Sequence, residues 1–160
     1  MCKPKIKKMN LLVKILTIGW ALGITIFPFA IYINEKYMFW KDLYPDKWKK
    51  LITHESIHWH QQITLFITGL ILTTIAAIII FATNSFSWWM LSFLIFPFLF
   101  FYIWYYLEWM IKLILPPYPS AYKDICFECE ANMNENNEDY LKTQKPFAFL
   151  KYLFKHCNQA

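Results

Sequence analysis

Arginine is absent from the 160-residue chain, so its net charge of +5 is carried by lysine alone. Without guanidinium forks the chain lacks the side chain best suited to reading phosphates and base edges together, which counts against sequence-specific reading of nucleic acid, and no nucleic-acid partner is expected. Lysines set beside apolar runs instead face anionic lipid headgroups. Cysteine is also scarce: Cys2, Cys126, Cys129 and Cys157 are too few and too scattered for the disulfide framework of a small secreted domain. They are expected to be reduced thiols on a cytoplasmic face. No small-x-small cleavage pattern follows the first apolar region, which counts against a secretory signal, and no internal repeat is visible.

What is abundant is apolar surface. The length fits one domain, and 58% hydrophobic with 21% aromatic residues is a membrane-protein composition. Ile63 to Ala82 holds no charge, and at about 1.5 Å per residue it matches a hydrocarbon core of about 30 Å. A second uncharged run, Trp88 to Leu107, carries Trp88 and Trp89 near one end and Tyr105, Tyr106 and Trp109 near the other, as interfacial aromatics do. The two runs predict a transmembrane hairpin turning at 84–87, with Pro97 kinking the second helix. Lys36, Lys41, Lys47, Lys49 and Lys50 precede it; Lys112, Lys123, Lys142, Lys145, Lys151 and Lys155 follow it; the turn has none. By the charge rule the lysine-rich side is expected to be cytoplasmic, with the turn facing the periplasm or exterior.

The expected fold is therefore mainly α, a transmembrane helical hairpin with a small cytoplasmic α+β portion. Residues 1–33 read as an interfacial helix and strand or, alternatively, a first span, since Lys14 and Gly23 interrupt the run and "ITIFPFAIYI" is β-branched and aromatic. Residues 34–62 form a cytoplasmic segment with a helix beginning around Lys49, and 63–107 form the hairpin. Residues 108–160 form a cytoplasmic tail in which "EANMNENNEDY" is helix or solvated loop and "KPFAFLKYLFKH" a basic amphipathic helix.

Three of the four histidines lie in "THESIHWHQQ". His54, Glu55 and His58 fit H-E-x-x-H, which on a helix sets two imidazoles on one face to bind one zinc ion, with Glu55 as the general base of peptide-bond hydrolysis. Gln61 and Gln62 continue the His58 face and are expected to support it, whereas His60 points elsewhere. A catalytic zinc needs a third protein ligand. Glu108 ends the second run; counted from the turn it lies roughly five residues, or about 7 Å, deeper than His58, so it should meet Gln61 or Gln62 and act from behind the ligands. Glu128 and Glu130 lie in "CFECEAN".

H-E-x-x-H followed after a membrane hairpin by Glu128 and Ala131 as E-x-x-A resembles the integral-membrane gluzincin metallopeptidases. "HESIHWHQQ" with "AYKDICFECEAN" is similar to small membrane-associated proteins of Bacteroidota that pair H-E-x-x-H-x-x-Q-Q with F-E-x-E-A; the likeness runs from Gly23 onward. The resemblance implies Glu128 as third ligand, with Glu130 as the alternative, and a strand in "ITIFPFAIYI" that pairs with substrate backbone. The gluzincin pattern usually has an aspartate after the alanine; this chain has Asn132. The expected partners are membrane lipids and a polypeptide substrate at the membrane; Tyr118, Tyr122 and Tyr140 are candidate oxyanion donors. Two other readings stand beside this one. Cys126 and Cys129 form C-x-x-C, which would serve as a redox pair or close a structural zinc site with His54 and His58. The chain would otherwise be a non-enzymatic membrane adaptor or assembly protein with a structural or degenerate metal site.

Overall fold

The computed structural model describes residues 4–17, 21–83, 87–115 and 120–157. It is mainly helical, with one small sheet. Helix α1 (Leu11–Leu16) starts at Asn10, whose side chain accepts the Val13 N–H, and exposes Leu11, Leu12 and Ile15. Strands β1 (Ile6–Lys8), β2 (Gly23–Ile26) and β3 (Ala30–Ile33) form a sheet in the order β1-β3-β2, with β1 parallel and β2 antiparallel to β3. The described residues of 11–33 thus form a short helix and a β-hairpin, and no helix among them has the length of a span. The alternation of β-branched and aromatic residues in "ITIFPFAIYI" explains the strands, and the central Phe-Pro-Phe makes the turn.

After the short helix α2 (Trp40–Leu43), α3 runs from Pro45 to Ala82, 38 residues or about 57 Å. Pro45 opens it where no N–H partner is needed, Asp46 favours the positive end of the helix dipole, and Gly69 is its sole Gly or Pro after Pro45. Helix α3 is nearly twice as long as a hydrocarbon core of about 30 Å is thick, and its N-terminal half stands outside the apolar run. A 3₁₀ segment, Trp88–Ile95, leads into α4 (Phe96–Ile114). Pro97 occupies the first turn of α4 and so needs no kink. Residues Pro45–Ala82 and Met90–Ile114 are both long and apolar enough to cross a membrane. Gly69 brings the two together: a Cβ there would lie 2.8 Å from the Pro97 Cα. The predicted turn residues 84–86 lie outside the described residues.

Helix α5 (Cys126–Asn134) returns to α3, followed by α6 (Tyr140–Thr143) and a 3₁₀ turn at Ala148–Tyr152. The tail is therefore not one amphipathic helix lying on a membrane. Phe149 is instead buried in the core, its ring 4.6 Å from Phe127, which in turn lies 4.7 Å from Phe101 of α4. Burying Phe127 completely contributes about 2–3 kcal/mol and fixes α5 against both long helices. A second cluster, Ile31, Ile33 and Leu51, seats the sheet on the other side of α3.

Candidate metal centre

His54 and His58 are one helical turn apart on α3, and their Nε2 atoms stand 3.1 Å from each other. Glu128 reaches them from α5, with Oε2 3.5 Å from His54 Nε2 and Oε1 3.4 Å from His58 Nε2. The two contacts use different Glu128 oxygens; one ligand atom from each of the three side chains lies within 4.8 Å of the others, close enough for the three to share one metal ion. Among the described residues no other trio of His, Cys, Asp and Glu side chains converges in this way.

The outer nitrogens of both imidazoles are committed. His54 Nδ1 lies 2.9 Å from Glu135 Oε2; a carboxylate only accepts, so Nδ1 carries the proton and Nε2 presents its lone pair. His58 Nδ1 lies 2.8 Å from Gln61 Oε1. The Gln61 amide orientation is set from behind, because its Nε2 donates to Glu130 Oε2 (2.9 Å) and to the Phe127 carbonyl (3.1 Å). His58 therefore also donates through Nδ1 and offers Nε2. Both rings are held in the tautomer that a metal requires.

Glu55 is buried, and its Oε2 accepts the Thr25 hydroxyl at 2.8 Å. Strand β2 can lie this close because Gly23 has no side chain: a Cβ would sit 2.8 Å from Glu55 Oε1. Gln62 fastens the same strand, donating to the Thr25 carbonyl (2.8 Å) and accepting the Phe27 N–H (2.7 Å). Gln61 thus serves the histidine, while Gln62 serves the strand beside the base.

Glu128 Oε1 accepts the hydroxyls of Tyr105 (2.8 Å) and Tyr122 (3.2 Å). Burial by itself raises the Glu128 pKa, but His58 and His54 in their doubly protonated, positively charged form outweigh it and hold the carboxyl below the usual range; a bound cation would act in the same direction. Glu135 is also lowered, by His54 and by Lys50 at 3.0 Å, against a burial effect of opposite sign. A cleft of about 700 Å³ opens beside the group, lined by Gly23, Trp40, Lys50, Glu55, Tyr122 and Glu128 among others. A smaller cavity of about 240 Å³ continues between β2 and α4, past Ile24, Phe101, Tyr102 and Tyr105.

Several expected residues lie elsewhere. Glu108 does not meet Gln61 or Gln62; it accepts from Lys112 Nζ (2.6 Å), the Cys126 N–H (2.7 Å) and the Cys126 thiol (2.8 Å). Depth does not separate them, because the eight 3₁₀ residues before α4 each rise about 0.5 Å more and leave Glu108 about level with Gln61; its side chain is instead turned to the start of α5, where Lys112 and Cys126 engage it. Glu130 points away from the three ligand atoms and accepts from Gln61, Tyr140 and Gln144 instead. Tyr140 is thereby engaged far from the cleft, and Tyr118 lies outside the described residues. The C-x-x-C reading fails on geometry: Cys126 faces Glu108, and Cys129 is disulfide-bonded to Cys157, with Cα atoms 5.5 Å apart. The thiols expected to be free are thus partly paired, because the tail folds back along α5. The sequence reading missed Thr25, Tyr105 and Glu135. Glu135 carried a signal, since it follows Glu128 by seven residues and returns to the same helix face. Tyr105 looked like an interfacial aromatic, and nothing local marked Thr25.

No family model, curated protein or solved structure matches the chain.

Proposed function

We propose that this chain is a membrane-bound zinc metalloendopeptidase of gluzincin type that hydrolyses peptide bonds at the membrane surface. The observation that carries the reading is the triangle of His54, His58 and Glu128 donors at 3.1–3.5 Å. One ligand atom from each side chain lies within 4.8 Å of the others, a spacing that one zinc ion can bridge, and Glu55 is fixed beside the group at the cleft. A zinc ion held there would supply a Lewis acid that polarises a carbonyl and eases the deprotonation of water. Glu55 takes the proton from the attacking water and delivers it to the leaving amine nitrogen. Thr25 holds the carboxylate in position for both transfers. Tyr122 lines the same cleft, and its O–H, which donates to Glu128 Oε1, would turn from that carboxylate to the carbonyl oxygen as the expected oxyanion contact. The edge of β2 at Gly23 borders the cleft, where an extended polypeptide would add as a further strand.

The two apolar helices support integral membrane placement, and the lysine distribution supports a cytoplasmic site. In a cytoplasmic protein the Cys129–Cys157 bond would be closed only transiently, because cellular thiols reduce it.

The test is zinc per chain in detergent-purified protein. The wild type should hold about one ion, His58→Ala and Glu128→Ala should lose it, and Glu55→Gln should keep it while cleaving nothing in a peptide-library digest. Folded wild type that takes up no zinc from added metal would sink the reading.

A further inference from the structure

The β2–β3 turn is placed where a soluble loop would not be. Phe27 packs on Trp59 at 5.3 Å and on Phe66 at 5.1 Å, and Phe66 packs on Phe98 at 4.9 Å. Phe66 is three residues into the uncharged run of α3, about 4.5 Å beyond Ile63, and Phe98 lies ten residues into the second run. The turn therefore sits alongside the apolar stretch of the hairpin, below the level of Glu55. At its tip Pro28 is exposed and Phe29 is 65% exposed.

A large aromatic at a turn tip is costly in water and stabilising in lipid. Hydrocarbon admits a backbone only where its polar groups are satisfied internally. The N–H groups here meet that demand: Phe27 N–H donates to Gln62 Oε1 at 2.7 Å, Pro28 has none, and Phe29 N–H donates to the Ile26 carbonyl at 2.8 Å. A buried glutamine spent on a turn N–H, one residue before the apolar run begins, is what a lipid-facing turn needs.

From these contacts we infer that the Phe27–Phe29 turn inserts into the hydrocarbon edge of the bilayer, with Phe29 as a lipid anchor. Its partner is the acyl-chain region of the membrane. The consequence reaches the base, because the same strand carries Gly23 and Thr25 against Glu55 and is pinned by Gln62. The wall of the cleft is thus held at a fixed depth in the membrane. This inference rests on the membrane placement proposed above.

The experiment uses the full chain in phosphatidylcholine vesicles, with Cys2→Ser as parent. Cys126 is buried and Cys129 is paired with Cys157, so one accessible cysteine for an environment-sensitive fluorophore is added at a time, by Phe29→Cys, by Ile71→Cys on the exposed face of α3 near the middle of its apolar run, and by Glu138→Cys on the exposed polar side near Lys49. Each labelled protein is first required to melt within a few degrees of the parent, and the unlabelled-site parent gives the background. Lipids spin-labelled along the acyl chain should quench both Phe29 and Ile71 labels at least twofold over Glu138. Quenching at Ile71 with Phe29 equal to Glu138 would overturn the insertion and leave the membrane reading intact. No quenching at Ile71 would overturn the membrane reading and the insertion with it.

Discussion

Removing the carboxylate behind His54 should weaken metal binding in graded steps. Glu135 Oε2 accepts from His54 Nδ1 at 2.9 Å and also pairs with Lys50 at 3.0 Å. Partners of this kind orient a ligand ring and raise its basicity, and their loss costs about 10–100-fold in metal affinity. Glu135→Gln keeps an acceptor but loses the charge, so zinc affinity should fall about tenfold, or about 1.4 kcal/mol. Glu135→Ala also frees the ring, and the fall should approach about 100-fold, or about 2.7 kcal/mol. Lys50→Met removes the ion pair while leaving the carboxylate on His54, and should change affinity less than threefold. The assay is competition against a chromophoric zinc chelator in detergent at neutral pH, with His54→Ala as the variant that loses the ligand itself. Wild-type affinity in Glu135→Ala, with His54→Ala impaired, would refute the assignment of Glu135 to the metal centre.

Gly23→Ala should leave zinc content unchanged but lower peptide hydrolysis at least tenfold, because its Cβ would displace the Glu55 carboxylate from 2.8 Å; loss of zinc in that variant would place the damage elsewhere. Glu130→Ala should lower stability by about 3 kcal/mol, seen as a drop in melting temperature in detergent, since it leaves the donors of Gln61, Tyr140 and Gln144 without their acceptor. Lys112→Met should cost about 3–5 kcal/mol by stranding the buried Glu108, and Lys112→Met with Glu108→Gln should recover much of that; equal melting in single and double variants would argue against a buried pair. Alkylation in intact cells, followed by peptide mass mapping, should find Cys129 and Cys157 free if the site faces the cytosol, and closed after purification in air.

Much of the helical scaffold was legible because local properties decide it. Two uncharged runs bounded by polar and aromatic residues specify long helices, and H-E-x-x-H needs only helical spacing to align His54 with His58. The strands in "ITIFPFAIYI" followed from β-branched and aromatic content. The partners of Glu108 did not follow, since depth along α4 does not say which neighbour its side chain faces, and Cys126 reaches it only because α5 packs back against α4. Nor did the tail, where Phe149 turns inward because Phe127 and Trp104 offer it an aromatic pocket.

The chain's composition and spacing alone settled its apolar helices, the motif helix and the identities of its strongest donors, for these depend on residues within a few turns of one another. Only the tertiary structure decided that Glu128 rather than Glu130 meets the histidines, that Glu135 holds the tautomer of His54, and that Thr25 and Gly23 seat Glu55. Those pairings join residues 30 to 81 positions apart. A side chain's partner at that distance is set by which faces of α3, α5 and β2 pack together, a property of the assembled core and not of any local stretch.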